Sequence, residues 1–192
     1  MSGYKFDPAK TAKLDDAGRF EDLRPDVMWA ALGIDDPRNI VDVGAGTGLF
    51  SERFAELAPR ATVYAVDRSA AMLDWVREHR GALVDSGRVV PVLSDEVRVP
   101  LPDGIADAVV MINLHHELDD PLGTYREALR LLNVGGRLMV ADWAPRETPK
   151  GPPLAVRVTP KSLIELLECV GFAHVHEHEG LPHHTLVTAT RA

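Results

Sequence analysis

Cysteine is nearly absent. One cysteine, Cys169, in 192 residues excludes an intrachain disulfide framework and a multi-cysteine metal site. Beside Leu166, Leu167 and Val170 it reads as a small core residue. Long hydrophobic runs are missing too: none reaches the roughly 18 residues of a membrane-spanning helix, and the opening MSGYKFDPAK lacks the apolar stretch of a secretory leader. Aromatic residues make up only 6%, and Trp29, Trp75 and Trp143 are too scattered to form a base-stacking platform. Positive charge is in deficit, with 21 Lys and Arg against 29 Asp and Glu and no basic block. The net charge of −8 argues against nucleic acid or an anionic membrane as partner, because neutralising phosphates needs clustered cations. Together these features predict a cytoplasmic protein. What is present, 45% hydrophobic and 26% charged residues, is ordinary globular composition at a length suited to one domain.

Residues 1–19 are polar, broken by Pro8 and Gly18, and read as an arm; residues 20–192 read as a single domain. Phe20, Leu23, Val27, Ala30 and Ala31 recur at helical spacing, predicting a helix over 20–32 that Gly33 stops. Apolar segments at 39–43, 62–66, 88–93, 107–113 and 137–141 then read as strands. Helical patterns at 49–57, 69–79 and 121–132 separate most of them, and Gly135–Gly136 reads as a turn. This alternation predicts an α/β fold: a doubly wound, mostly parallel sheet with helices on both faces and its ligand at the carboxyl ends of the strands. A proline-rich loop over 143–158 precedes a helix capped by Thr159 and Pro160. Strands at 172–179 and 185–190, joined by a short link, suggest an antiparallel pair.

The strongest chemical signal is Asp42-Val-Gly44-Ala-Gly46-Thr-Gly48, between a strand and a helix. Glycines admit close approach of a ligand to the backbone, and the helix start supplies unpaired N–H donors. A Walker loop would need a Gly-Lys-Ser/Thr ending, which is missing. A dinucleotide fingerprint would need glycine where Leu49 stands. A nucleoside with a cationic amino-acid tail suits Asp42 better, since a carboxylate there repels pyrophosphate. Asp67 closes the next strand 21 residues after Gly46, the distance at which an acidic residue accepts ribose hydroxyls. A structural turn at the glycines and an N-cap at Asp67 are the alternatives.

Together with Ser94-Asp95 and Asn133-Val-Gly135-Gly136-Arg137, these motifs resemble class I S-adenosylmethionine-dependent methyltransferases over residues 38–142. The resemblance implies a Rossmann-like seven-stranded sheet with its last strand antiparallel. It implies that Gly44, Gly46 and Gly48 line the methionine half of the cofactor and that Asp42 faces its amino group. Asp67 would hold the ribose, with Arg68 and Met72 at the adenine edge. Asp95, with Glu96 beside it, would accept from the adenine amino group, and Asn113 and Leu114 would close the fourth strand against the cofactor. Ser94 departs from the family pattern, where glycine is common. The run Leu114-His115-His116 replaces the Asn-Pro-Pro-Tyr motif of relatives that methylate nucleobase amines, which points to a small-molecule acceptor. The oligomer, monomer or homodimer, is left open.

Histidine suits proton transfer near neutral pH. His115 and His116 follow the fourth strand and His183 lies in the last connection, so one of them is the candidate base or orienting group. Tyr4, Phe6 and Lys10 of the arm, with Pro152, Pro153 and Arg157 of the proline-rich loop, are candidates to fold over the site. His174, His176 and His178 alternate along one strand, which would align three imidazoles; protection of an edge strand explains them better than a metal. Two further functions stay open: a cofactor-binding module that does not catalyse, and an NAD-dependent oxidoreductase, which lacks the Tyr-x-x-x-Lys pair because Leu129 follows Tyr125 by four.

Overall fold

The sheet is built where short β-branched runs alternate two ways. In Asn39–Val43, Ile40 and Val41 are both fully buried but pack into different cores, one on each face of the sheet. The computed structural model describes residues 11–192. Its first half runs α1 (Thr11–Leu14), α2 (Arg19–Leu23), α3 (Pro25–Leu32), β1 (Asn39–Val43), α4 (Leu49–Leu57), β2 (Thr62–Asp67), α5 (Ala70–His79), α6 (Gly81–Asp85) and β3 (Val89–Leu93). The second half runs β4 (Ala106–Ile112), a 3-10 turn (His115–Glu117), α7 (Pro121–Leu131), β5 (Leu132–Trp143), α8 (Pro160–Val170), β6 (Phe172–His178) and β7 (His184–Arg191).

The seven strands lie in the order β3-β2-β1-β4-β5-β7-β6. The first five are parallel, and β7 enters antiparallel between β5 and β6. This is the Rossmann-like sheet expected from the sequence. On one face Phe54, Met28 and Leu32 pack against Ile40, Val110 and Met139. On the other Tyr125, Leu131 and Leu167 pack against Val41, Val109 and Leu138. Each such fully buried side chain is worth about 1.5–3 kcal/mol. The chain winds outward from β1 to β3, then returns to lay β4 on the other side of β1. That reversal opens a crevice at the carboxyl ends of β1 and β4. Among the described residues no helix is long and apolar enough to cross a membrane.

Several local expectations are corrected. The helix over 20–32 is two helices, because Pro25 disfavours helical geometry at the preceding residue and Arg24 takes φ +37°. The five-residue α6 is too short to show a hydrophobic period. Gly135 and Gly136 lie within β5, where a register shift between Ala106 and Ala108 absorbs them as an irregularity. Cys169 is exposed, not core: α8 buries Leu163 and Leu167, and Cys169 sits about 200° around the helix from Leu167. The histidine row is broken as well. His174 takes φ +49° at a register shift between Ala173 and His176, and His178 Nε2 lies 2.7 Å from Thr188 Oγ1. Among the described residues no cluster of three or more metal-binding side chains occurs.

Residues 11–19 lie against the sheet's ligand-side edge: Arg80 Nη2 donates to Asp15 Oδ1 at 2.6 Å, and Arg19 Nη1 donates to the Leu14 carbonyl at 2.8 Å. The expectations for Tyr4, Phe6 and Lys10 fall outside the described residues.

Candidate active site

Above the crevice lies a cavity of about 820 Å³. Its floor is the turn between β1 and α4. Gly44, Gly46 and Gly48 all take positive φ, and the Gly44 and Ala45 amides donate to the Val66 carbonyl. A Cβ on Gly44 would stand 2.7 Å from Leu114 Cδ1, so only glycine lets Leu114 close over this turn. Asp67 fastens the turn to the next helix: Oδ2 accepts from Gly46 N and Oδ1 from Ser69 N, each at 2.8 Å. A carboxylate has about four lone-pair sites, so capacity remains for a ligand hydroxyl. Asp67 therefore does structural work at the turn and still lines the cavity.

Asp42, at the base of the cavity, is 2% exposed and accepts from Ser51 Oγ at 2.6 Å. Burial pushes its carboxyl up to about 6, against the Ser51 hydrogen bond and the pull of Arg19, and the nearby Asp67 charge adds to the rise. Arg19 also lines the cavity, its guanidinium 5.0 Å from the centre of the Phe50 ring. Burial draws it down to about 10 in spite of Asp42, Asp15 and Asp16. Farther along, Met72 is buried in the wall, Arg68 lines it, and Asp95 Oδ1 accepts from Val97 N and Arg98 N. Glu96 lines the cavity, yet its Oε1 accepts from the amides of Asp119 and Asp120 and its Oε2 lies 3.5 Å from Arg68 Nη1. It is chiefly the clamp that sets the entry to α7. Asn113, at φ +54°, ends β4 with its Oδ1 buried and unpartnered, and Thr47 Oγ1 is buried and unpartnered beside it in the cavity lining.

The opposite wall holds the histidines. His116 is buried and lines the cavity, and its Nδ1 lies 2.8 Å from Asp142 Oδ1. Asp142, 1% exposed, also accepts from Trp143 N at 2.7 Å. The His116 ring thus sits between two carboxylates, with Nδ1 toward Asp142 and Nε2 3.8 Å from Glu117 Oε1. His115 points elsewhere: its ring stacks on Tyr125 with Nδ1 2.7 Å from the phenol oxygen, and it does not line the cavity. Burial holds His115 below the ordinary histidine range, and burial holds Tyr125 well above the ordinary phenol range. His183 is also outside the lining, with Nε2 3.8 Å from Asp22 Oδ1. Its neighbour His184 lines the cavity in its place.

The proline-rich loop is held in place by Arg157. Its guanidinium donates to the carbonyls of Pro152, Ala144 and Arg146 and to Thr148 Oγ1, and it lies 5.4 Å from the Trp143 ring centre. Lys150 Nζ reaches Asp22 Oδ2 at 2.6 Å, joining this loop to α2 across the cavity wall.

A methyltransferase domain family matches residues 41–140 of the chain, from β1 through most of β5. The chain belongs to the class I S-adenosylmethionine-dependent methyltransferases. A solved S-adenosylmethionine-dependent methyltransferase from Aquifex aeolicus is similar with a TM-score of 0.90 and 29% identity, covering 98% of this chain and 100% of that one. A malonyl-[acyl-carrier protein] O-methyltransferase of Legionella pneumophila is 34% identical over 57% of this chain and 37% of its own length. A ubiquinone/menaquinone biosynthesis C-methyltransferase of Caulobacter vibrioides is 31% identical over 67% of this chain and 53% of its own. The chain thus spans between about a third and about half the length of these curated relatives.

Within this methyltransferase the structure gathers Asp42, Gly44, Gly46, Asp67, Arg68, Met72, Asp95, Glu96, Asn113, Leu114 and His116 around one cavity, whereas Gly48 lies outside the lining and faces the side chains of Val76 and Arg80. Sequence reasoning missed Arg19 and Thr47, and of the His183–His184 pair it chose His183 as the candidate. Arg19 lay inside the segment read as a polar arm. His184 was assigned to a link, whereas β7 begins at that residue and pairs it with Trp143.

Proposed function

We propose that this protein transfers a methyl group from S-adenosylmethionine to a small-molecule acceptor, with His116 taking the acceptor's proton. The observation that carries the reading is that one cavity is shared by the glycine turn with Asp67 and by the His116–Asp142 pair. The residues present fit the cofactor. Thr47 Oγ1 and Asn113 Oδ1 are buried polar atoms that lack protein partners and line the same space, and buried polar groups call for a partner. Asp42 suits the cofactor's amino group and Arg19 its carboxylate. Asp67 suits the ribose hydroxyls, and Asp95 the adenine amino group between Arg68 and Met72. Glu96 acts at one remove, by holding the loop before α7. Bound there, S-adenosylmethionine supplies a methyl group on a positively charged sulfur, already primed for displacement.

The protein's own task is then alignment and proton removal. Alignment of the reacting atoms contributes most. Asp142 orients the His116 ring at the cavity wall, where the imidazole serves as the proton acceptor. Residues Lys13, Leu14 and Arg19 of the arm and Lys150 and Pro152 of the proline-rich loop form the covering wall, where they exclude water. The buried proton-accepting pair favours an enzyme over a binding module without chemistry. The missing third glycine disfavours nicotinamide cofactors.

Calorimetric binding of S-adenosylhomocysteine, with NADH as comparator, tests the reading. Micromolar binding of the first and none of the second is expected. Asp67→Asn removes the acceptor of one of the two turn amides, so its fold is checked by thermal unfolding, and in the folded variant binding should weaken at least tenfold. Folded protein that binds neither molecule, or prefers NADH, would refute the cofactor assignment.

A further inference from the structure

The His184 side chain has no role in the chemistry assigned above, yet it is among the most constrained polar groups in the cavity. It begins β7 opposite Trp143, is 6% exposed, and lines the cavity with its ring 4.2 Å from the indole. Both ring nitrogens are buried and neither has a hydrogen-bond partner. Two imidazole nitrogens lost to water without replacement are costly, and a buried orphan of this kind marks a ligand position or a bound solvent position. Burial draws the ring down to about 4, against the pull of Asp142 and Asp22, so it is neutral at physiological pH.

A neutral imidazole offers one N–H and one lone pair. It therefore needs one acceptor and one donor. An ammonium only donates and a carboxylate only accepts, whereas a hydroxyl serves in either role. Of the charges acting on the ring, Arg19 is assigned to the cofactor carboxylate and the two carboxylates are committed within the protein. Asp142 holds His116 and the Trp143 amide, and Asp22 holds Lys150 at 2.6 Å. A charged ligand group at His184 would find no free counter-ion in that pair. Its ring lies against the apolar face of Trp143, and Leu23 and Pro152 add apolar surface to the same cavity. At about 820 Å³ the cavity stands near the top of the range of about 300–1,000 Å³ for single small ligands, which leaves room for an acceptor beside a nucleoside.

We propose that His184 is the acceptor-recognition residue, and that it selects an uncharged, hydroxyl-bearing small molecule over amines and carboxylates of the same size. This rests on the methyltransferase reading for the position of the cofactor. His184 is a positioning residue in this scheme, and the proton goes to His116.

The test uses three isosteric probes, benzyl alcohol, benzylamine and benzoate. Each is titrated into the full chain saturated with S-adenosylhomocysteine, while the histidine ring nitrogens are followed by ¹⁵N NMR. Benzyl alcohol should move the His184 signals and bind at least about fivefold more tightly than the other two. His184→Leu should erase that preference while S-adenosylhomocysteine binding stays within twofold. His184→Gln, which keeps one donor and one acceptor, should restore part of it. Equal binding of the three probes, binding of none, a preference surviving in His184→Leu, or an unmoved His184 signal would each overturn the proposal. The same titration in cofactor-free protein separates the two readings. If S-adenosylhomocysteine itself fails to bind, the function falls, and the His184 shift with benzyl alcohol is judged alone.

Discussion

Replacing Asp42 by asparagine should make the protein more stable at neutral pH and worse at binding its cofactor. The carboxyl is buried at the end of β1, and its rise from 3.8 to about 6 measures how much the fold disfavours its charge. That rise corresponds to about 3 kcal/mol of ionisation cost at pH 7. The sign follows from the direction. A carboxyl raised in the folded state binds its proton more tightly there than in the unfolded chain. Its contribution to stability is whole below about pH 4 and is lost as pH rises through about 6. Asparagine is nearly isosteric, still accepts from Ser51 Oγ through its amide oxygen, and carries no charge to bury. Urea unfolding of both proteins from pH 4.5 to 8 should therefore show curves that converge at the acid end. They should separate by up to about 3 kcal/mol above pH 7, or about 6–12 °C in Tm for a chain of this size. Affinity for S-adenosylhomocysteine should drop about tenfold or more, because the ligand's ammonium loses its counter-charge. If the difference between the two proteins does not change with pH, or the variant is the less stable at pH 7, the account of Asp42 is wrong.

Three further outcomes follow from the same geometry. His116→Ala should lower kcat on a hydroxyl acceptor by about 10²–10⁴-fold while S-adenosylhomocysteine affinity, read by calorimetry, stays within a few-fold; an unchanged kcat would remove the base. Gly48→Ala should cost about 1–3 kcal/mol by chemical denaturation, since residue 48 sits at φ +76° and the new Cβ would lie 2.9 Å from Val76 Cγ2. Glu127→Ala should destabilise by about 3 kcal/mol, for Glu127 Oε1 accepts from Val99 N and from Arg130 Nη2, both at 2.6 Å, and its loss strands the Arg130 guanidinium; a loss under about 1 kcal/mol would show that Arg130 is held well enough by Asp103 and the carbonyls of Leu101 and Val99.

Local signals in the sequence carried the fold far. Strand β1, the glycine turn and α4 follow from a short apolar run, three residues free to take positive φ, and a helical period, all within about twenty positions. Thr159 and Pro160 cap α8 as their types predict. The misreadings have separate causes. Arg24 leaves the helix because of its neighbour Pro25, Cys169 is exposed because the α8 stripe passes through Leu163 and Leu167, and the β6 histidines lose alignment at a register shift against β7. Only the last turns on a pairing between separate strands; the first two follow from neighbours within one helix.

The sequence by itself determined the parallel α/β order, the glycine turn and the acidic residue that ends β2, because each is set by backbone conformation over a few neighbouring residues. Only the tertiary structure decided which histidine faces the cavity. His115 and His116 are adjacent, but one turns to Tyr125 on α7 and the other to Asp142 on β5, and their partners lie 10 and 26 residues away. His183 and His184 are divided the same way by the antiparallel pairing of β7 with β5. Successive side chains on a strand point to opposite faces, so a one-residue difference in where β7 begins moves a side chain from one side of the sheet to the other. Arg19 and Asp42 come to line one cavity, each feeling the other's charge, only through the tertiary fold. Packing, not pattern, placed those charges near one another, and burial weighs on each more than their mutual attraction offsets.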